Sequence, residues 1–324
     1  MLLASAPAIA SVTNLTLING WQDSPFGTAK AGVETVNGIV HFRGAMVTDG
    51  TNPEPFVLPA PFRPSAVVFI PIDVCGDNGR LVVSTSGDVQ VQTEGAFSDA
   101  QCFTSLDGAS FALSSDGFKP LKLKHGWGPY GHSTATPAFR NINGIVRFEG
   151  AMSSTSDNLV AFTLPKALRP SVVVYVEADV NATHNGRLEI DPTGDVFVED
   201  NANNGRNFTS LDGISFSINA NGFTPLTLIN GWFTFADSAA PAVKVISDVV
   251  HFRGGIGTNG NSLIPFNLPK KFRPAKDVYI PVDMCNATYG RLIISHTGTV
   301  AVEADTDDNN AKCFTSLDGA TFHR

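Results

Sequence analysis

The sequence predicts an all-β protein made of three tandem antiparallel β-sandwich domains of jelly-roll type, and two observations support this fold class. Short apolar segments, alternating or continuous, are separated by turns rich in Gly, Pro, Asn and Asp, which is the pattern of β-strands. The segment FTSLDG also occurs three times, and its starts at Phe103, Phe208 and Phe314 lie 105 and 106 residues apart. About 100 residues can bury a core of their own, so each copy is predicted to be a domain.

The copies are assigned to residues 11–111, 117–218 and 222–324, called repeats 1, 2 and 3 below. The connectors between them are short and rich in turn-forming residues, so we expect the repeats to be held close together. Residues 1–10 are apolar but lack the basic start and the long apolar core of an export signal. We therefore interpret them as an N-terminal arm.

Repeat 1 shows how the strands are predicted. Seven apolar segments are bounded by turn residues and are predicted strands of an antiparallel β-sandwich or a flattened barrel. Helices should be nearly absent. The predicted strands cover residues 15–19, 38–46, 55–58, 66–74, 80–84, 88–93 and 102–111.

Charge and hydropathy exclude two classes of partner. The formal net charge is −8 and Lys and Arg are not clustered, so a nucleic acid backbone would be repelled. The sequence contains no run of 18 apolar residues, so no membrane insertion by a helix is predicted.

Four cysteines occur as a pair in repeat 1 and a pair in repeat 3. At both equivalent positions repeat 2 has Asn, at Asn181 and Asn207. Joint presence and joint absence favour two disulfides within the repeats over free thiols or a metal site, and no metal or cofactor is predicted. Disulfides in turn predict an extracellular or virion-surface location. The predicted bonds are Cys75 with Cys102 and Cys285 with Cys313.

Several polar or aromatic residues recur in all three repeats, and for each we favour a structural role. Trp21, Trp127 and Trp232 are predicted to occupy the core or its rim rather than to stack on a ligand. The Arg residues of the RP and GRL segments should bond turn carbonyls or a carboxylate such as Asp73 rather than an anion or sugar. These arginines are Arg63, Arg169 and Arg273, and Arg80, Arg187 and Arg291.

Two further recurring positions are ionisable. Asp107, Asp212 and Asp318 each precede Gly and are predicted turn formers. His41 and His251 share one strand position at which repeat 2 has Arg147, and this position is predicted to face solvent.

The sequence contains none of the short motifs of hydrolases, metalloproteases or phosphate-binding loops, so we predict that the protein is not an enzyme. The acidic segment 303–310 lacks the Gly and Glu of an EF-hand, and a solvated loop is favoured over a Ca²⁺ site. Sequons occur at Asn14, Asn181, Asn207 and Asn286, about as often as chance predicts, so they are silent on glycosylation.

Candidate ligand-binding residues lie where the repeats differ. The segments that follow each Trp, residues 22–37, 128–143 and 233–248, share almost nothing, and divergent loops on a constant scaffold are typical of recognition modules, although drift of surface loops explains them equally well. Sugars favour aromatic faces beside amide and carboxylate groups. The candidates are Gln22, Asp23, Phe26, Tyr130, His132, Phe233, Phe235 and Asp237.

The order of segments GW, NGIVHFRG, LP with FRP, GRLVVSTSG and SLDGASF resembles the distal, receptor-binding head domain of bacteriophage tail-fibre and related host-recognition proteins. The likeness covers each repeat. It implies an all-β head, commonly trimeric, that binds cell-surface saccharides through its loops. Three copies in one chain would then be arranged with pseudo-threefold symmetry. The triplication within one chain and the Cys pairs depart from that family.

These observations lead to two competing hypotheses. The first is a non-enzymatic recognition or adhesion protein that binds a cell-surface saccharide or glycoprotein. The second is a structural component of a virion or extracellular assembly, whose loops contact other coat or fibre proteins.

Overall fold

The computed structural model describes residues 12–200 and 202–324, and this part of the chain is almost entirely antiparallel β-structure. It contains two short α-helices, α1 at Phe97–Cys102 and α2 at Asp308–Cys313. Single 3-10 turns lie at Pro25–Gly27, Ala60–Phe62, Lys166–Leu168, Asn181–Thr183, Lys270–Phe272 and Cys285–Ala287. The predicted all-β fold class is confirmed, while the domain boundaries stay a prediction and the arm at residues 1–10 lies outside the described residues.

The described part of repeat 1 forms two sheets. Its strands are β1 Thr13–Asn14, β2 Trp21–Asp23, β3 Gly32–Val36, β4 Ile39–Arg43, β5 Ala45–Thr48, β6 Val68–Val74, β7 Asp77–Val83, β8 Val89–Thr93, β9 Thr104–Ser105 and β10 Ser110–Ala112. One sheet has the order β1-β3-β4-β10 and the other the order β2-β5-β9-β6-β7-β8.

Repeat 2 contains strands in the same sequence order, divided among three sheets. They are β11 Lys119–Pro120, β12 Trp127–Pro129, β13 Ala138–Ile142, β14 Ile145–Glu149, β15 Ala151–Ser154, β16 Val160–Thr163, β17 Val174–Asp179, β18 Asn185–Ile190, β19 Asp195–Asp200, β20 Thr209–Ser210 and β21 Ser215–Ser217. The sheet orders are β11-β13-β14-β21, β12-β15-β20 and β16-β19-β18-β17.

Repeat 3 again forms two sheets. Its strands are β22 Thr224–Pro225, β23 Trp232–Thr234, β24 Ala242–Ile246, β25 Val249–Arg253, β26 Gly255–Thr258, β27 Phe266–Asn267, β28 Val278–Met284, β29 Thr288–Ile294, β30 Thr299–Ala304, β31 Thr315–Ser316 and β32 Thr321–His323. The orders are β22-β24-β25-β32 and β23-β26-β31-β28-β29-β30-β27.

Several sequence-based predictions in repeat 1 are wrong. Residues 55–58 form only an isolated bridge, between Val57 and Asp88, and the predicted strands 38–46 and 102–111 are each divided into two strands. Residues 15–19 are not a strand; there Leu15 N donates to Ala31 O and Ile18 N donates to Pro55 O, so the apolar side chains pack without a ladder. Conversely, β3 lies inside the segment 22–37 that the divergence of the copies marked as loop. Its backbone pairs with β4, and pairing does not require that the side chains be alike in the three repeats.

The Gly and Asp residues of the recurring segments hold one tight turn in each repeat. Gly44 has φ +84°, and a Cβ there would lie 2.3 Å from the Lys30 carbonyl oxygen, so no other residue fits. The Gly44 N–H donates to Asp107 Oδ1 at 2.9 Å, and Gly150 with Asp212 and Gly254 with Asp318 repeat the bond. The buried aspartates therefore tie two strands together besides forming their own turns.

The buried apolar residues form three clusters, each drawn from one repeat. Each includes its Trp, which is only 5–6% exposed and donates its Nε1–H to a backbone carbonyl, of Asn52, Asn158 or Ser262. The predicted core or rim role of Trp is confirmed. The RP arginines also behave as predicted, because Arg63, Arg169 and Arg273 donate from Nε to the carbonyls of Leu58, Leu164 and Leu268.

Contacts between the repeats close into a cycle. The long strands β6, β17 and β28 pack against one another. Isolated parallel bridges join Val67 of repeat 1 to Thr134 of repeat 2, Val173 of repeat 2 to Ser238 of repeat 3, and Thr28 of repeat 1 to Asp277 of repeat 3. A Ser hydroxyl bridges each contact as well: Ser105 donates to Tyr279 O, Ser210 to Phe69 O and Ser316 to Tyr175 O, at 2.5–2.7 Å.

Three ion pairs follow the same cycle, and we call them the Arg–Asp ring. Arg80 lies 3.2 Å from Asp179, Arg187 lies 3.4 Å from Asp283, and Arg291 lies 2.9 Å from Asp73. Each pair joins two repeats, and the three carboxylates are inaccessible to solvent or nearly so. The predicted carboxylate partner of a recurring Arg is thus found, but it belongs to the neighbouring repeat.

Glu177 introduces a fourth buried carboxyl beside the ring. It stands where repeats 1 and 3 have Pro71 and Pro281, and these residues line a cavity of about 40 Å³. Its Oε1 is buried without a hydrogen-bond partner. Burial first, and then the charges of Asp283, Asp179 and Asp73, raise the pKa of Glu177 well above its usual range.

The prediction that His41, Arg147 and His251 face solvent is wrong. All three are buried, at 5–6% exposure, and they line one cavity. The strand face that points outward in an isolated sandwich points here toward the other repeats.

Both predicted disulfides are present. Cys75 bonds Cys102 and Cys285 bonds Cys313, with Cα atoms 5.8 Å and 5.7 Å apart. They indicate a non-reducing, extracellular environment.

Replacing Cys75 and Cys102 together by Asn, the pair that repeat 2 carries, should lower the unfolding free energy by about 3 kcal/mol, because the open chain regains loop entropy. Denaturant unfolding without reductant measures the change. The same double replacement at Cys285 and Cys313 should have a similar effect, and an unchanged midpoint in both variants would contradict this account.

Glu177 gives a prediction on pH. A carboxyl whose pKa is raised by folding contributes stability that is complete below its unfolded pKa, about 4.3, and is lost as pH rises through the folded value. Replacing Glu177 by Gln removes this loss. The unfolding free energy of the variant, relative to that of the wild type, should therefore rise as pH increases from 5 to 8.5. The rise should be about 1.4 kcal/mol for each unit by which folding raises the pKa of Glu177.

Denaturant unfolding at several pH values tests this, with Glu54→Gln as the control because Glu54 is exposed. The other buried carboxyls titrate in both proteins, so only the difference between the two curves reports on Glu177. Parallel curves would show that folding does not raise the pKa of Glu177 and would contradict this account.

Candidate functional site

An aromatic cluster lies at each contact between repeats, and we call these the junction clusters. Each is centred on the buried Phe of an FTSLDG segment, which touches a ring from the loop after Trp and a ring from a neighbouring repeat's long strand. The clusters are Phe26, Phe103 and Tyr279; Tyr130, His132, Phe208 and Phe69; and Phe235, Phe314 and Tyr175.

The ring geometry is similar in the three clusters. From loop ring to central Phe the centroid distances are 6.0 Å for Phe26, 4.7 Å for Tyr130 and 4.8 Å for Phe235. From the central Phe to the neighbouring strand they are 4.8–5.2 Å, in edge-to-face contact. Such contacts stabilise by about 0.5–1.5 kcal/mol each beyond the area buried.

The arginines of the Arg–Asp ring also contact the strand aromatics of these clusters. Arg291 lies 5.3 Å from the ring centre of Tyr279, Arg80 lies 5.1 Å from that of Phe69, and Arg187 lies 4.5 Å from that of Tyr175. Each guanidinium therefore pairs with a buried carboxylate and also makes a cation–π contact with an aromatic ring. Burial raises the pKa of Tyr175 to about 12, so its hydroxyl remains a hydrogen-bond donor throughout the physiological range.

The junction clusters contain four of the sequence-predicted ligand residues. Phe26 is 69% exposed, His132 is exposed, and Tyr130 and Phe235 are half-buried. Tyr130 and His132 stack with centroids 4.7 Å apart, so repeat 2 presents a pair of rings. These side chains expose aromatic surface to solvent while they pack on the buried central Phe of each cluster.

The other four candidates lie outside the clusters. Gln22 is exposed on β2, and Asp23 accepts the Ala31 N–H through Oδ1, which is a structural role. Phe233 is 43% exposed on β23, and Asp237 is exposed while its carbonyl accepts from Val173 N of repeat 2. All the aromatic candidates except Phe233 therefore belong to a junction cluster. The amide and carboxylate candidates lie outside the clusters.

Sequence reasoning missed the strand aromatics Phe69, Tyr175 and Tyr279. The signal was present, because an aromatic residue stands at the second position of this strand in all three copies and is half-buried in each. What the sequence did not show is that the position faces the next repeat.

Two acidic residues of the segment 303–310 make structural contacts. Glu303 bonds Arg291, and the side chain of Asp307 accepts the Asn309 N–H at the start of α2. In residues 12–200 and 202–324, no group of three or more His, Cys, Asp or Glu has the geometry of a metal site. Of the sequons, Asn14, Asn207 and Asn286 are exposed and Asn181 is half-buried.

None of the helices in the described residues is long and apolar enough to cross a membrane. No protein-family model, curated protein or solved structure matches this chain.

Proposed function

We propose that this protein is a non-enzymatic recognition protein that binds cell-surface glycans at its junction clusters, with a role in adhesion or host recognition like that of phage fibre heads. The observation that carries the proposal is the solvent-accessible loop ring in each cluster, which packs on a buried Phe that also contacts an aromatic residue of a neighbouring repeat. The two disulfides, which fit an extracellular protein or a virion surface, agree with this role.

The chemistry of the clusters suits a pyranose. A sugar has apolar C–H patches that pack on aromatic faces and hydroxyls that need hydrogen-bond partners. Phe26 supplies a face, and Tyr130 with His132 supplies a face together with polar ring atoms. The rings are positioned before a ligand arrives, which lowers the entropic cost of binding.

Three clusters on one chain favour multivalent binding. Cell surfaces display many copies of a glycan, so weak binding at each cluster adds up to strong attachment when the sites engage together. The clusters differ in their exposed rings, which gives one molecule sites of different preference.

The junction rings provide the test. Replacing Phe26 by Ala, and Tyr130 and His132 together by Ala, should each weaken glycan or cell binding about five- to tenfold, because stacking area is lost. The unfolding free energy should fall by only about 0.5–1.5 kcal/mol, because Phe26 and His132 are exposed and the half-buried Tyr130 loses one contact with a buried ring. Glycan-array and host-cell binding assays on the purified chain measure the first effect, and denaturant unfolding measures the second.

Phe233→Ala is the matched control, since Phe233 is exposed but lies outside the clusters. Glycan binding by this variant should equal that of the wild type. Trp127→Ala instead removes a buried ring and should cost about 3–5 kcal/mol of stability. Normal glycan binding by the loop variants, together with failure to assemble into larger particles, would favour a structural role in a virion or coat.

A further inference from the structure

A cluster of basic side chains lies buried where β4, β14 and β25 approach one another. His41, Arg147 and His251 occupy the same register in the three repeats, opposite Ser110, Ser215 and Thr321 of the adjoining strands. Together they line a cavity of about 20 Å³. The rest of its wall is almost entirely aliphatic: Val36, Asn37, Ile39, Ile142, Ile145, Ile246 and Val249.

Arg147 carries a buried charge that no acid neutralises. It is 6% exposed, and in the described ranges 12–200 and 202–324 no carboxylate oxygen lies within 4.0 Å of its guanidinium. Its side-chain hydrogen bond there is a long one, 3.5 Å from Nη1 to Ser110 Oγ. Burial lowers the pKa of Arg147 to about 10, so the group is still a cation at neutral pH.

The surrounding charges do not supply the missing negative charge. Lys244 faces His251 across the strand pair and Arg140 faces Arg147, and both are basic. Glu34 faces His41, but its Oε1 lies 2.6 Å from His323 Nε2 of repeat 3, so it already has a partner. A buried cation without a countercharge is costly, and the usual remedy is a bound ion.

We propose that this cavity binds one small monovalent anion of chloride size, held by the Arg147 guanidinium and by ring N–H groups of His41 and His251. A cavity needs roughly 10–15 Å³ to admit a water molecule, so the space fits a monatomic ion and excludes sulfate or phosphate. The guanidinium is itself buried, which strengthens its attraction for an anion.

Binding should tighten as pH falls. Burial and the nearby cations Arg147 and Lys244 hold the pKa of His251 down to about 3, and burial with Arg147, His251 and His323 lowers that of His41. An anion beside these rings favours their protonated forms, so the pKa of each His rises on binding and protons are taken up with the ion.

The test compares thermal unfolding in sodium chloride, sodium bromide and sodium gluconate at equal ionic strength and pH 7.5. The melting temperature should rise by about 1–3 °C over a tenfold increase in chloride or bromide and should not respond to gluconate. Equal melting temperatures in all three salts would overturn the proposal.

The chain itself offers the variant. Arg147→His gives repeat 2 the residue of the other two repeats, and it should abolish the halide response at pH 7.5. Arg140→His, a half-buried neighbour outside the cavity, is the control and should keep the response. A full response in Arg147→His would overturn the proposal.

Bromide in crystals of the wild type gives a second measurement that does not depend on the variant folding. An anomalous peak is expected beside Arg147. A well-ordered cavity with no peak at high bromide would also overturn the proposal.

Discussion

Three guanidinium–carboxylate pairs buried between the repeats constrain how this chain can fold. Asp73, Asp179 and Asp283 are inaccessible, and each finds its cation only in a neighbouring repeat. A repeat folded alone would leave an aspartate with no partner, at a cost of several kcal/mol, so the cycle of contacts must close for any one pair to be satisfied. The same arginines support the strand aromatics, so the surface clusters depend on the buried ring as well.

The ring is not fully symmetric, and the differences show how one chain adapts three similar contacts. Asn78 and Asn185 donate their side-chain N–H to carbonyls of the next repeat, at Thr183 and Ala287. At the third contact Tyr289 takes that position and donates its hydroxyl to Asp73 instead. Repeat 1 has one residue fewer in this turn, so a longer side chain is needed to reach across.

The sequence alone predicted the fold class, the disulfides and the roles of Trp21 and Arg63, because each depends on contacts within one repeat. It failed for His41, Arg147 and His251, since alternation along a strand tells which residues share a face but not what that face meets. Divergence between the copies selected Phe26 and Tyr130 as candidates, which the structure places in the junction clusters. It did not select Tyr279, because that residue contacts a cluster centred on another repeat.

Copies within one chain can change independently, whereas three separate identical subunits cannot. Glu177 replaces a proline, and Arg147 replaces a histidine, in one repeat only. In three identical subunits the same change would place three glutamates or three arginines together. Three arginines around one small cavity would repel strongly in a low dielectric, and three buried glutamates would do the same. Three copies in one chain therefore permit one buried arginine and one buried glutamate at these positions instead of three of each, while the outer loops diverge under no such constraint.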